Sequence, residues 1–136
     1  MKVSLLAAVC VLCVSVAVWA QEDADYQNWM KSNGATVASL RKNLDAKSGD
    51  AAAADAKKLQ DNFAQISAYW QKKNVSDAAK FAMDAQNGFK DVAQLAAAGK
   101  FDEASASAMK AQANCAGCHM AHRDKAADGS FQIKMK

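Results

Sequence analysis

Not one proline interrupts the 136 residues of this chain, and only six glycines occur in it. These two residues stop helices and shape tight turns, so sandwiches, barrels and collagen-like repeats, which need turn residues often, are excluded. What remains is a chain of helices. Alanine, the strongest helix former, dominates the 51% apolar fraction, and the larger apolar residues recur at spacings of three and four. The length suits one modest domain and excludes two.

The first twenty residues stand apart. Lys2 precedes an apolar run over 3–20 that ends in Val18-Trp19-Ala20, the n-region, h-region and cleavage pattern of an export signal. Cleavage is expected after Ala20, making 1–20 a signal peptide and 21–136 the mature domain, with the periplasm as its location. Retention as a membrane anchor is the alternative, since the run is at the short limit for a span. Cys10 and Cys13 leave with the leader, so Cys115 and Cys118 are the only cysteines of the mature chain, in a compartment where free thiols oxidise. A second pair for a zinc site is missing. The formal charge is only +3, with both signs interspersed, which gives nucleic-acid binding no support.

Within 21–136 the periodicity predicts four helices. The first spans about 24–47, with Tyr26, Met30, Val37, Leu40 and Leu44 along one face, and ends at Ser48-Gly49-Asp50. The second spans about 51–73, with Leu59, Phe63, Ile66 and Trp70 as its stripe and Asn74 at its exit. Ser76 is placed to cap the third, whose face carries Ala78, Phe81, Ala85, Phe89, Val92 and Leu95 and which stops at Gly99, a residue that accepts the left-handed conformation. The fourth begins near Phe101-Asp102-Glu103, whose acids suit a helix N-terminus, runs through Ala104, Ala108, Ala111, Cys115, Cys118 and His122, and fades into a polar tail over 126–136. Amphipathic helices joined by links this short predict an all-α fold, an antiparallel up-down-up-down four-helix bundle. Its core is thin. Leu, Ile, Val and Phe together number 14 of the 116 residues in 21–136, well under the roughly 20% below which burial no longer offsets chain entropy. A large apolar cofactor would complete such a core, and the alanine faces leave room for one.

Cys115-Ala116-Gly117-Cys118-His119 reads C-x-x-C-H, the attachment sequence of c-type haem. On a helix, residues i and i+3 share a face, so the two thiols can each form a thioether to one haem vinyl group, while i+4 brings the imidazole of His119 under the iron. Ala116 and Gly117 are small enough for the macrocycle to lie close to the backbone. Three other readings compete. A disulfide between neighbours on a helix closes a tiny loop, stabilises little and leaves His119 unexplained. A thioredoxin-like pair belongs at a strand-to-helix junction, and no convincing strand precedes Cys115. Zinc could take Cys115, Cys118, His119 and His122, but four ligands within eight residues of one helix cannot easily surround a metal tetrahedrally.

A leader, four helices and a C-terminal C-x-x-C-H followed by Arg123 together resemble the cytochrome c′ family, the class II cytochromes c, over nearly the whole mature chain. Ala96-Ala97-Ala98-Gly99-Lys100-Phe101-Asp102-Glu103 resembles the family's alanine-rich exit from its third helix, and 115–123 its haem-binding stretch. The resemblance implies a four-helix bundle, commonly dimeric, with one covalent haem c, in exported bacterial electron-transfer or gas-binding proteins. Two branches of the family differ at the sixth iron position, which the first helix supplies: an apolar residue leaves the iron five-coordinate, and methionine makes it six-coordinate and low-spin. Trp29-Met30-Lys31-Ser32-Asn33-Gly34 resembles the methionine branch, which makes Met30 the implied sixth ligand. On spacing alone Met30 is one more core residue. Met83 and Met109 are read as core or surface residues.

The chain also departs from the family pattern. Tyr26 stands where many members have an arginine that contacts a haem propionate, a contact for which Arg41 or Lys42 is the available substitute. His122 stands where an aromatic residue is usual and is expected to be a partly exposed packing residue. Arg123 matches the family's arginine and is read either as a charge that tunes the haem or as a surface charge near a helix C-terminus. The 71–77 connection is shorter than in many members and lacks their prolines.

The first functional expectation is an electron carrier in which His119 and Met30 hold a low-spin haem c bound through Cys115 and Cys118, with periplasmic redox proteins as weakly docking partners. The alternative is a five-coordinate protein that binds nitric oxide or carbon monoxide at an open distal face. A third is a haem-free exported helical interaction protein, against which the thin core argues. No nucleophile triad, paired carboxylate site or phosphate loop is discernible, so an enzyme is not expected. The alanine-rich outer faces leave a homodimer open, and membrane contact is expected only if the leader is retained.

Overall fold

A computed structural model of the chain describes residues 3–135, with side chains from Glu22 to Met135. The leader expected over 1–20 lies outside the residues with described side chains. Among the described residues are four helices, α1 (Val3–Asp45), α2 (Gly49–Lys72), α3 (Ser76–Ala97) and α4 (Phe101–His122), and a hairpin of β1 (Arg123–Lys125) and β2 (Phe131–Ile133). The chain is all-helical apart from that hairpin and is consistent with a four-helix bundle. None of the helices, among the described residues, is long and apolar enough to cross a membrane.

The three links between helices share one design, which explains how a chain without proline turns three times. Each is three residues long, 46–48, 73–75 and 98–100. Its middle residue is left-handed: Lys47 at φ 54°, Asn74 at φ 58° and Gly99 at φ 72°. In each link the amides of the second and third residues turn back to carbonyls of the ended helix, as in Lys47 N to Leu44 O (3.0 Å) and Ser48 N to Asn43 O (2.9 Å). This is the paired bonding of a Schellman motif. The third residue then opens the next helix, its carbonyl accepting the first intrahelical bond, as Val75 O does from Ala79 N at 3.0 Å. Val75 therefore holds the N-cap position expected for Ser76, which is already helical. Asp77 accepts a bond from the amide of Ala78 at 2.9 Å instead. The first helix does not start near residue 24, since Glu22 and Asp23 are helical too.

The expected stripes form the core. Leu40, Leu59, Ile66, Trp70, Phe89 and Val92 are fully buried, and buried alanines fill the spaces between them. Helices α3 and α4 approach closely at Gly88, where a Cβ would lie 2.7 Å from the Cβ of Ala111. Polar contacts fix the start of the described side chains: the Tyr69 hydroxyl donates to Asp23 at 2.7 Å and Lys73 pairs with the same carboxylate at 3.2 Å. Helices adjacent in sequence pack on one another, whereas α1 and α4 touch only sparsely. Their seam is where the candidate site lies.

The tail over 126–136, expected to be merely polar, is a correction. Arg123, Asp124 and Lys125 pair antiparallel with Ile133, Gln132 and Phe131. Gly129 takes φ 85° in the turn, and Asp128 Oδ1 accepts from the amide (2.9 Å) and hydroxyl (2.7 Å) of Ser130. An Asx-type turn followed by left-handed glycine closes the ribbon. Beyond it, the amide of Lys134 donates to the carbonyl of His122 at 2.9 Å, which ties the hairpin to the last turn of α4.

Candidate functional site

A cavity of about 720 Å³ opens along the seam of α1 and α4, within the usual 300–1,000 Å³ of small-molecule and cofactor sites. Met30 on α1 and Cys115, Cys118 and His119 on α4 all line it. The structure thus brings together the two cysteines, the histidine and the methionine named from the sequence. Phe63 and Ile66 of α2 and Phe81 and Ala82 of α3 form much of its apolar wall, and the hairpin contributes 130–133 at one side.

The register of α4 produces this arrangement. Ala104, Ala108 and Ala111 bury its inner face, and the same phase carries Cys115 and Cys118 onto the cavity, the first half-buried and the second buried. Burial pushes the Cys115 thiol up. The Cys118 thiol is raised to about 11 by burial first, then by the neighbouring Cys115 and Asp77. Both thiols are protonated at neutral pH, the reverse of the activated cysteine of a thioredoxin-like pair. His119 has its basicity lowered by burial and by Arg123, so the imidazole keeps a neutral ring nitrogen to offer a metal.

Gly117 has a use within the protein itself. A Cβ there would lie 2.7 Å from Cε1 of Phe81, so the missing side chain makes room for a phenyl ring of the cavity wall, while Ala116 is exposed. Met30 is half-buried on the opposite helix, with Tyr26 one turn before it. Tyr26 is buried against Tyr69, with ring centroids 4.5 Å apart, and edge-on to Trp70 at 5.6 Å. Burial raises its hydroxyl well above the ordinary phenol value, leaving it neutral. Arg41 and Lys42 are exposed and do not line the cavity; Lys31 and Arg123 are the cations that do.

His122 is not the partly exposed residue expected. It is buried, its ring lies 5.3 Å from that of Trp70, and both ring nitrogens are engaged. Nε2 is 2.9 Å from Asp77 Oδ2 and Nδ1 is 3.2 Å from the carbonyl of Lys134, so this side chain clasps α3 and the C-terminal segment to α4. Arg123 is exposed with its guanidinium 4.1 Å from the Phe131 ring centroid. Met83 and Met109 are surface residues, 45% and 67% exposed.

Asn33 escaped the sequence reading. It is buried, lines the cavity, and accepts a bond at Oδ1 from Asn62 Nδ2 at 2.8 Å. A signal was available: Tyr26, Met30, Val37, Leu40 and Leu44 leave a gap in their four-three alternation that Asn33 fills. A polar residue in phase with an apolar seam marks a polar task inside it.

No protein-family model, curated protein or solved structure matches this chain. Among the described residues, no group of three or more His, Cys, Asp or Glu side chains is gathered to hold a metal ion by itself.

Proposed function

We propose that the chain is an exported monohaem c-type cytochrome, akin to the methionine-ligated branch of the cytochrome c′ family, that carries single electrons between periplasmic redox partners. The observation that carries the reading is the shared cavity: Cys115, Cys118 and His119 line it from α4, and Met30 lines it from α1. In an antiparallel up-down-up-down bundle, for which three-residue links between mutually packed helices argue, those helices flank one slot.

Haem c, when bound, supplies an iron that accepts and releases one electron. The residues fit it. Cys115 and Cys118 would hold it by thioethers, and His119 and Met30 would be its axial ligands, a pair that raises the reduction potential because thioether sulfur favours the ferrous state. A porphyrin brings four nitrogen ligands of its own, so the protein need only supply the axial pair. Phe63, Ile66 and Phe81 give the slot an apolar wall, and Lys31 and Arg123 at its edge suit carboxylates. With His119 and Met30 both holding the iron, the site would serve electron transfer rather than substrate chemistry.

Visible spectra of the purified holoprotein, ferric and ferrous, with and without carbon monoxide, test this. A sharp low-spin ferrous spectrum indifferent to the gas is expected. A broad high-spin spectrum that shifts with carbon monoxide would assign an open site and binding of nitric oxide or carbon monoxide instead. A denaturing gel without covalent haem stain would overturn both.

A further inference from the structure

Asn33 presents a donor with nothing to receive it. The residue is only 6% exposed, and Nδ2 is buried without a hydrogen-bond partner. The other end of the amide is fixed, because Asn62 Nδ2 donates to Oδ1 at 2.8 Å and also lies 3.4 Å from Ser32 Oγ. That clamp reaches from α2 to α1 and turns the free N–H away from Asn62. A buried amide group left unpaired destabilises a fold, so native proteins rarely keep one. Asn33 itself lines the cavity, one turn beyond Met30 on the same wall.

Resting on the haem reading above, we propose that Asn33 is the cavity's hydrogen-bond donor, giving its Nδ2 hydrogen to an oxygen acceptor on what the cavity holds. The acceptor must be oxygen-like. Thioether sulfur accepts weakly, so Met30 does not satisfy a primary amide, whereas a carboxylate or a bound oxygen atom does. Two sources share that chemistry: a carboxylate arm of the haem, or a small oxygen-bearing molecule such as nitric oxide beside the iron when Met30 is displaced. Gly34, next in the chain, keeps this wall roomy: it lines the same cavity and a Cβ there would meet nothing within 4 Å. Asn62 is the positioning residue, since it touches only Asn33 and Ser32 among these groups.

Asn33→Leu, close in size and without the donor, separates the sources in the intact holoprotein. With Met30 present, the infrared difference spectrum between oxidised and reduced states is recorded. If the acceptor is a haem carboxylate, the carboxylate stretch shifts and the midpoint potential falls, because the carboxylate charge near the iron loses its partner. In a Met30→Leu background, the carbon monoxide stretch and the nitric oxide release rate are recorded. If the acceptor is the small ligand, Asn33→Leu moves the stretch upward and speeds release by about tenfold, the worth of one hydrogen bond. Asn62→Ala leaves the donor in place but untied, so it gives a smaller change of the same sign and carries the test if Asn33→Leu does not fold. Holoprotein in which neither Asn33→Leu nor Asn62→Ala alters either spectrum would overturn the proposal. Wild-type protein lacking covalent haem would instead count against the haem reading, a distinct result.

Discussion

Lys47 shows how much a single backbone angle decides here. It holds φ at 54° where Gly99 holds 72° in the equivalent link, and a side chain in that region costs about 1–2 kcal/mol. Lys47→Gly relieves that strain but adds chain entropy to the unfolded state, so a net gain of about 0.5–1 kcal/mol is expected, and Gly99→Ala should lose about as much. Urea unfolding midpoints of the two variants should therefore move in opposite directions. Met30 is the residue on which the functional reading turns. Met30→Leu keeps the size and apolarity of the wall but removes the thioether, so the iron should change from low-spin to high-spin and open to carbon monoxide. An unchanged spectrum would return Met30 to simple packing. The meeting of Met30, Cys115, Cys118 and His119 on one cavity was legible because the motif and the pattern of the family the chain resembles name those types at those spacings. Asn33 was legible only as a polar residue in an apolar phase; its pairing with Asn62, 29 residues away, was not, because pairing across helices leaves no local trace.

At the scale of elements, helix spacing was easy to read and the end of the chain was not. Leu59, Phe63, Ile66 and Trp70 are all buried as their period requires, whereas each strand of the hairpin is only three residues long, too short for an alternation to register. Its turn residues, Asp128-Gly129-Ser130, were the available signal. What holds the hairpin is also non-local: His122 joins Asp77 to Lys134. The hydrogen bond from His122 keeps the Asp77 carboxyl below the ordinary carboxylate range. A carboxyl depressed in the folded state stabilises above its unfolded value, roughly pH 4, and that contribution fades as the pH falls through the lowered value. At neutral pH the Asp77 arm of the clasp is therefore at full strength, and tryptic cleavage after Arg123 or Lys125 should be slow. Asp77→Asn, which leaves the ring facing a neutral amide, should speed that cleavage severalfold. Equal rates would mean the strand pairing alone holds the segment.

For the molecule as a whole, the thin apolar core and the large cavity are one fact. A domain of this length has about 5–15 kcal/mol of stability. A slot of about 720 Å³ that is partly open to solvent leaves its apolar walls without partner atoms, a loss to be set against that margin. The bundle must therefore close, hydrate or carry an occupant. Closing is difficult where small side chains already bring helices together: Gly88 sits against Ala111, and Gly117 against Phe81. Hydration leaves Phe63, Ile66 and Phe81 facing water and forfeits much of the apolar burial that the few large side chains provide. An occupant joined to α4 and reaching the Met30 wall of α1 would fill the slot and bridge two helices that touch only sparsely. Cys115→Ala with Cys118→Ala, purified free of haem, should accordingly retain partial helix by far-ultraviolet circular dichroism, melt without a sharp transition and bind a hydrophobic dye. A haem-free variant that is fully helical and melts cooperatively would show that the helices complete their own core, and the cavity would then be a site the fold can spare.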